Sequence, residues 1–125
     1  MDMIKKIREL YQDNILLQPP YLGENTGEIP EELLSILRIS NGIKETMTHP
    51  QSGELIVVQW LLYPYETMVS DTDFYHTEYQ VVGTVFSTDG AGSPYLLKPD
   101  GSVTCFDGTD GTETKISSSL EDFYK

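Results

Sequence analysis

The pattern of apolar and polar residues predicts a helix at the start of the chain. Apolar side chains recur there three or four residues apart with charged residues between them, which is the spacing of one helix face. These apolar positions are Ile4, Ile7, Tyr11 and Ile15. Asp2 is a suitable N-cap. Pro19-Pro20 is expected to end the helix, because proline lacks the backbone N–H that a helix interior needs.

A second helix is predicted from Pro30, a residue that suits the first helical position. Glu31 and Glu32 follow it at the positive end of the helix dipole. The apolar face of this helix consists of Leu33, Ile36, Leu37 and Ile39. Asn41-Gly42 is expected to end the helix, because these two residues readily adopt the left-handed conformation of a C-terminal stop.

The periodicity changes to that of strands from Gly53 onward. Short apolar or alternating runs, rich in β-branched and aromatic residues and bounded by turn residues, are typical of strands. The predicted strands cover residues 55–62, 81–88, 95–98, 102–106 and 113–116. Between the first two, residues 66–70 are expected to form a helical turn and residues 71–78 a polar, aromatic segment. Pro99-Asp100-Gly101 predicts a hairpin turn.

The last element is predicted to be a short helix. Ser118 and Glu121 have the spacing of a capping box, and Leu120 and Phe123 would pack on the sheet. Strands joined by short turns indicate antiparallel pairing. The predicted fold is therefore α+β, with a mainly antiparallel sheet of about four to six strands flanked by two N-terminal helices and a short C-terminal helix. The 125 residues are expected to form a single domain.

The net charge is the most unusual property of the composition. Twenty acidic residues face eight basic ones, which gives a formal net charge of −12. Binding to nucleic acid or to an anionic membrane needs clustered Lys and Arg, so neither is expected as a partner. A protein partner with a basic surface suits this charge, because complementary fields accelerate association. Solubility is the alternative explanation of the acidity.

Neither metal binding nor redox chemistry is predicted from the cysteine and histidine residues. Cys105 is the single cysteine, so no internal disulfide and no thiol cluster for zinc is expected. His49 has no His or Cys four residues later to share a metal, and Asp71 or Asp73 could orient His76. Both histidines are nevertheless interpreted as solvated loop residues. No secretory signal and no apolar run of about 18 residues is found, so the cytoplasm is the expected compartment.

The glycine-rich segments do not predict catalysis. Residues 107–113 only partly match a calcium loop, since Thr109 and Gly111 occupy positions where ligands are needed, and a surface turn is favoured. Gly90-Ala91-Gly92 lacks the lysine of a phosphate loop. No serine has Gly-x-Ser-x-Gly spacing. A small hydrolase that uses a pair of carboxylates stays open as the less favoured alternative. No enzyme activity and no cofactor is expected.

The segment from 63 to 80 carries the strongest signal for binding. It combines aromatic residues with four acids and contains no Lys or Arg. Aromatic side chains supply contact area, and carboxylates pair with Arg or Lys of a partner. The residues predicted to bind a partner, including one from the following turn, are Glu66, Asp71, Asp73, Tyr75, Glu78 and Asp89. The alternative is that half of these aromatic residues simply cover the sheet.

Three stretches of the chain resemble the SUKH superfamily, the group of the yeast cell-wall assembly regulator and many bacterial immunity proteins. The first begins at residues 29–34 and ends with Asn-Gly at 41–42; the second is the strand and acidic glycine turn of 85–92. The third is the hairpin of 95–106 with the closing Ser-Leu-x-x-Phe helix in 116–123. The resemblance is strongest over 29–124. Its motif residues would shape turns and caps: Pro30, Asn41, Gly42, Asp89, Gly90 and Gly101.

The resemblance implies a function in binding, because the family shares no catalytic residues. It implies an immunity protein that neutralises a secreted or contact-delivered toxin, often a nuclease, by forming a stoichiometric complex inside the producing bacterium. The alternative within the same fold is an adaptor that binds host regulatory proteins. The chain is expected to be a monomer or a weak homodimer.

Overall fold

The computed structural model describes residues 2–124, which form helices and strands in the following order. The helices are α1 (Met3–Leu10), α2 (Glu31–Leu37), α3 (Tyr65–Tyr79) and α4 (Leu120–Phe123). The strands are β1 (Ile15–Leu17), β2 (Ile43–Thr48), β3 (Leu55–Leu62), β4 (Thr84–Thr88), β5 (Pro94–Leu97), β6 (Val103–Asp107) and β7 (Thr112–Ser117). The order along the chain is α1-β1-α2-β2-β3-α3-β4-β5-β6-β7-α4.

The fold is α+β, and all its strand pairs are antiparallel, as predicted. The strands form two sheets, however, with the orders β1-β2-β3 and β4-β5-β6-β7, where the sequence predicted one. The two N-terminal helices are also not adjacent along the chain, since β1 lies between them, and α3 is an additional long helix. The sheets are separate because α3 is inserted between β3 and β4; the Tyr63 amide still donates to the Phe86 carbonyl at 2.8 Å.

One apolar core joins both sheets and all four helices of the described region. Its fully buried members come from every layer: Ile7, Leu33, Leu37, Ile43, Leu62, Met68, Phe86, Val103 and Leu120. Each such side chain stabilises the fold by about 1.5–3 kcal/mol relative to an exposed position. A smaller cluster of Val81, Val85, Leu96 and Phe106 lies between α3 and the second sheet. The position of α3 is therefore set by two cores.

Helix α1 is shorter than predicted. It ends at Leu10, because Gln12 and Asp13 adopt left-handed backbone conformations with φ of 54° and 66°. Ile15, which the helical pattern included, belongs to β1 and pairs with Glu45 of β2. An apolar residue that follows a turn fits either period, so the pattern alone extended the helix too far.

Helix α2 confirms the predicted element, but its ends differ. Pro30 is the N-cap, one residue before the predicted position, and the helix ends at Leu37, ahead of Asn41-Gly42. Asn41 instead accepts the Tyr65 amide at its Oδ1, at 2.7 Å, and so caps α3. Gly42 has a φ of 97°, and a Cβ there would lie 2.6 Å from the Trp60 ring. Both residues thus serve the junction with α3.

Helix α3 replaces the predicted helical turn and irregular segment. It begins after Pro64 and continues for 15 residues to Tyr79, where Gln80 ends it in the left-handed conformation. The alternation of acids and aromatic residues has almost no amphipathic character, so no helical period is visible in the sequence. Helix formation depends on tertiary contacts: Met68 is fully buried, and Thr72 Oγ1 accepts the Val85 amide at 2.9 Å.

The C-terminal third agrees closely with the sequence analysis. The predicted hairpin about residues 99–101 forms between β5 and β6, and β4 pairs with β5 across the turn of 89–93, although β4 begins at Thr84 rather than at 81. Gly90 and Gly101 have φ of 84° and 90°, as their turns require. The N-cap of α4 is Ser119, which accepts the Asp122 amide; the predicted capping box was placed one residue too early.

The β2–β3 hairpin is the part of the first sheet that the sequence analysis only half predicted. Strand β3 has the predicted bounds, whereas β2 is a strand that the analysis missed. The outer part of the hairpin exposes apolar side chains: Met47, Leu55, Val57 and Val58. In the region that the structure describes, no helix is both long enough and apolar enough to cross a membrane.

Candidate functional site

The predicted binding residues of α3 lie on two sides of the helix. Asp71, Tyr75 and Glu78 are separated by four and three residues, so they share one side, which we call the acidic strip. Glu66 and Asp73 are seven residues apart and share the other side. The helix therefore divides a group that the sequence presented as one segment.

Half-exposed rings form an aromatic cluster beside the acidic strip. Phe74 and Tyr75 meet edge to face with centroids 5.2 Å apart, and Tyr75 lies 5.7 Å from Tyr79. Both tyrosines contact Phe106 of β6, at 5.9 and 5.1 Å. Phe74 and Tyr79 remain 51% and 43% exposed. Exposed aromatic area next to carboxylates is a common composition for a protein-binding surface.

Asp89 lies on the β4–β5 turn, where its Oδ1 accepts the amides of Ala91 and Ser93. Burial raises the pKa of Tyr63, and the charges of Asp71 and Asp89 raise it further. Tyr63 is thus close to both carboxylates. The pKa of Tyr75 is raised by burial and then by Asp71, and burial also raises the pKa of Asp71 itself. The charges of Asp71 and Asp89 therefore both act on Tyr63, and the charge of Asp71 also acts on Tyr75.

The other predicted residues do not join this group. Glu66 Oε2 accepts a hydrogen bond from Asn41 Nδ2 at 3.3 Å, at the opposite end of α3. Asp73 lines a shallow depression with His76 and Gly27, on the side of α3 that faces the loop before α2. Glu78 belongs to the acidic strip but is exposed near the C-terminal end of the helix.

A cleft of about 480 Å³ opens between the two sheets on the side of Asp89. Its walls are mainly aromatic and aliphatic, and its polar residues come from β3, β4 and the β4–β5 turn. The lining consists of Leu10, Tyr11, Gln59, Leu61, Ser87, Thr88, Asp89, Tyr95, Ile116, Phe123 and Tyr124. This volume is in the range of cavities that take small ligands or single side chains.

Carboxylates act on two tyrosines that line the cleft. Burial raises the pKa of Tyr95, and Cys105 and Asp89 raise it further. Burial also raises the pKa of Tyr11, and the charge of Glu45 adds to this effect. Glu45 Oε1 accepts a hydrogen bond from Gln59 Nε2 at 2.9 Å, which ties it to the lining. Asp89 lines the cleft, and Glu45 acts on it from outside the lining, through Tyr11 and Gln59.

No residue that lines the cleft or forms the acidic strip is Lys or Arg. No Lys or Arg occurs between Lys44 and Lys98, a stretch that contains seven acids. Lys44 lies over the Trp60 ring, with its Nζ 4.9 Å from the ring centroid, and Lys98 Nζ pairs with Glu113 at 2.7 Å. Arg38 Nη1 donates to the Tyr21 carbonyl at 2.9 Å. The negative potential around Asp71 and Asp89 thus has no internal counter-charge among the cleft-lining or acidic-strip residues.

The remaining candidate residues have structural roles in the described region. His49 Nδ1 accepts the Gln51 and Ser52 amides at 3.2 Å in the β2–β3 turn. His76, predicted in a loop, lies in α3, and no cluster of His, Cys, Asp and Glu suited to a metal is found within residues 2–124. Burial, with Asp89 and Asp107, raises the pKa of the Cys105 thiol, which disfavours a reactive thiolate.

The acidic turn of 107–113 is the β6–β7 hairpin turn. Asp107 Oδ1 accepts the Thr109 amide at 2.8 Å, and Asp110 Oδ1 accepts the Thr112 amide at 2.9 Å. The Thr112 hydroxyl also donates to Asp110 Oδ1, at 2.7 Å. These carboxylates are occupied in shaping the turn, which is the surface-turn interpretation that the sequence favoured.

The cleft contributes functional candidates that the sequence analysis missed. Tyr11 was interpreted as part of a helix face and Tyr95 as part of a hairpin, and Gln59 was placed in a buried strand. These residues are far apart in the chain, and nothing in their local patterns marks them as neighbours.

Comparisons were made with protein-family models, curated proteins and solved structures. No family model, curated protein or solved structure matches this chain.

Proposed function

We propose that this chain is a bacterial immunity protein of the SUKH type that acts in the cytoplasm. It binds a cognate toxin through a basic surface of that toxin, such as the surface with which a nuclease holds phosphate. The action is stoichiometric and needs no turnover. The chain would cover the active site of the toxin or its path for substrate.

The observation that carries this proposal is the acidic strip of α3 with the aromatic cluster beside it. Asp71 and Glu78 provide charge, while Phe74 and Tyr79 provide exposed aromatic area directly beside them. A surface of this composition supplies both long-range attraction and contact area after docking. The net charge of −12 acts in the same direction, because it attracts a basic domain from a distance.

The first test is rescue from toxicity. The toxin encoded by the neighbouring gene is expressed in a sensitive bacterium with and without this chain. We expect growth to be restored by the chain and a one-to-one complex to co-purify. Folded, abundant chain that neither restores growth nor co-purifies would contradict toxin neutralisation; recovery of a host regulatory protein instead would favour the adaptor alternative.

The second test locates the surface with two variants of equal charge. Asp71→Asn with Glu78→Gln neutralises the acidic strip, and Glu66→Gln with Asp73→Asn neutralises the other side of the same helix. Stopped-flow association at low salt is expected to slow by about tenfold for the first variant, and by less for the second. If both variants slow association equally, attraction depends on the net charge alone and not on the acidic strip. If neither variant slows association, electrostatic docking at α3 is contradicted.

A further inference from the structure

We infer that the cleft between the two sheets receives a guanidinium group, supplied by an arginine side chain of the protein that docks on this surface. This inference rests on the proposed function, because it names the chemistry by which that partner is held. Asp89 lines the cleft, so a partner side chain that enters it contacts a residue already predicted to bind a partner.

The floor of the cleft does not compete for a charged ligand. The Ser87 hydroxyl and the Tyr124 hydroxyl both donate to the Leu61 carbonyl, at 2.8 and 2.6 Å. Leu61 and Phe123 complete the floor with apolar surface. The polar atoms at the bottom are therefore satisfied within the protein, and the floor suits the apolar stem of a long side chain.

The rim of the cleft carries a charged acceptor that the protein leaves partly unused. Gln59 Nε2 donates one of its two N–H groups to Glu45, and the Thr88 hydroxyl donates to the Ser93 carbonyl at 3.4 Å. Asp89 Oδ1 accepts the amides of Ala91 and Ser93, at 2.8 and 3.0 Å. Among residues 2–124, these bonds use only one oxygen of the carboxylate, so Asp89 Oδ2 is available to a ligand. A rim of this kind suits a group rich in N–H donors.

Aromatic walls distinguish guanidinium from ammonium. Tyr11 and Tyr95 both line the cleft, and Tyr95 meets Phe123 edge to face with centroids 4.7 Å apart. A planar, delocalised cation stacks on such rings and is less strongly hydrated than an ammonium group. Guanidinium also carries five N–H donors in a fixed geometry that matches a carboxylate. No Lys or Arg is among the residues described as lining the cleft.

The test uses small probes, so it does not depend on the identity of the toxin. The ¹⁵N-labelled full chain is titrated with ethylguanidinium chloride, with the neutral isostere ethylurea, and with ethylammonium chloride, all at constant chloride concentration. Amide chemical shifts report both the site and the affinity. We expect saturable shifts from ethylguanidinium at Tyr11, Tyr95 and residues 88–93, weaker effects from ethylammonium, and none from ethylurea.

Matched variants separate the cleft from general acidity. Asp89→Asn keeps the Oδ1 acceptor of the turn and removes the charge. Asp110→Asn does the same in the β6–β7 turn, outside the cleft. The first variant is expected to weaken ethylguanidinium binding by roughly tenfold, the effect of losing one charged hydrogen-bond acceptor, and the second to leave it unchanged.

Three results would overturn the inference: no saturable shift, equal binding of ethylurea, or binding of ethylammonium as tight as that of ethylguanidinium. Equal weakening by both variants would overturn it as well. These outcomes are distinct from failure of the proposed function. If the chain rescues growth but does not bind the probe, the proposed function stands and the inference about the cleft is wrong. If the chain binds the probe but does not rescue growth, the inference about the cleft stands and the proposed function is wrong.

Discussion

The two halves of α3 are held differently, although they belong to one helix. We call residues 65–72 the inner half and residues 73–79 the outer half. The inner half is fixed by its environment: Asn41 caps it, Met68 is fully buried, and Thr72 accepts the amide of Val85. The outer half packs on the smaller core through Tyr75, and Phe74 and Tyr79 remain substantially exposed. The inner half thus stabilises the fold, while the outer half is held in place by it and is free to bind. Substitutions should separate these two roles.

The largest effect on stability is expected at Met68 in the inner half. Met68→Ala leaves a cavity in the core and should lower the free energy of unfolding by about 2–5 kcal/mol. Phe74→Ala is the control in the outer half and should change it by less than about 1 kcal/mol, since half of that ring is already in water. Urea unfolding followed by circular dichroism measures both. Equal losses would contradict the division of the helix.

A smaller effect is expected from the bond between α3 and β4. Thr72→Val keeps the shape of the side chain but removes the acceptor of the Val85 amide, and Val85 is fully buried. An unsatisfied buried N–H costs about 1–3 kcal/mol. Thr72→Ser restores the hydroxyl and should recover most of this loss in the same unfolding experiment. A Val variant as stable as the natural chain would show that another group satisfies this amide.

The cap of α3 is expected to contribute about 1 kcal/mol. Asn41→Ala removes the acceptor of the Tyr65 amide, whereas Asn41→Asp keeps it. The Asp variant should therefore lie between the Ala variant and the natural chain, because its charge also faces Glu66. Thermal unfolding in parallel checks this order. If the Ala variant is the most stable, the contact of Asn41 is not a cap.

The smallest effect is expected from Asp71, and it depends on pH. Burial raises the pKa of Asp71 above its ordinary value of 3.8, so the folded state disfavours the carboxylate. This penalty is present above the folded-state pKa and disappears as the pH falls below 3.8, where the carboxyl group is protonated in both states. Asp71→Asn should thus stabilise the chain at pH 7 and have little effect near the acid end of the range.

Asp110 provides a control of opposite sign for that pH dependence. Hydrogen bonds from the Thr112 hydroxyl and amide lower the pKa of Asp110 in the folded state. The charged form of Asp110 therefore stabilises the folded state at a pH above the unfolded-state pKa. This contribution is lost as the pH falls through the folded-state pKa. Asp110→Asn should therefore destabilise the chain at pH 7. Urea midpoints of both variants across the pH range measure the two signs. Parallel pH profiles would contradict the burial of Asp71.

The sequence analysis was most accurate where a local signal determines the structure. Strand β3 has its predicted bounds, and the hairpins around Gly90 and Gly101 form where the glycines permit positive φ. It failed at α3 and β2, whose residues carry little periodic signal. Helix α3 forms because the two cores and the Val85 amide select one arrangement of Met68 and Thr72. Such selection depends on residues distant in the chain.

The candidate site shows the same division. Composition predicted an acidic surface and named Asp71, Tyr75 and Asp89, yet it grouped them with Glu66 and Asp73, which the helix turns to another side. The cleft was not predicted at all, because its lining is assembled from segments that are separated along the chain.

The sequence by itself determined the α+β class, the antiparallel turns, the C-terminal hairpins and the large negative charge, because each depends on residue type or on neighbours within a few positions. Only the tertiary structure decided that residues 65–79 are a helix, which acids share a face, and that Tyr11, Tyr95 and Asp89 enclose one cleft. Packing brings together side chains from distant segments, and no local pattern along the chain specifies those contacts.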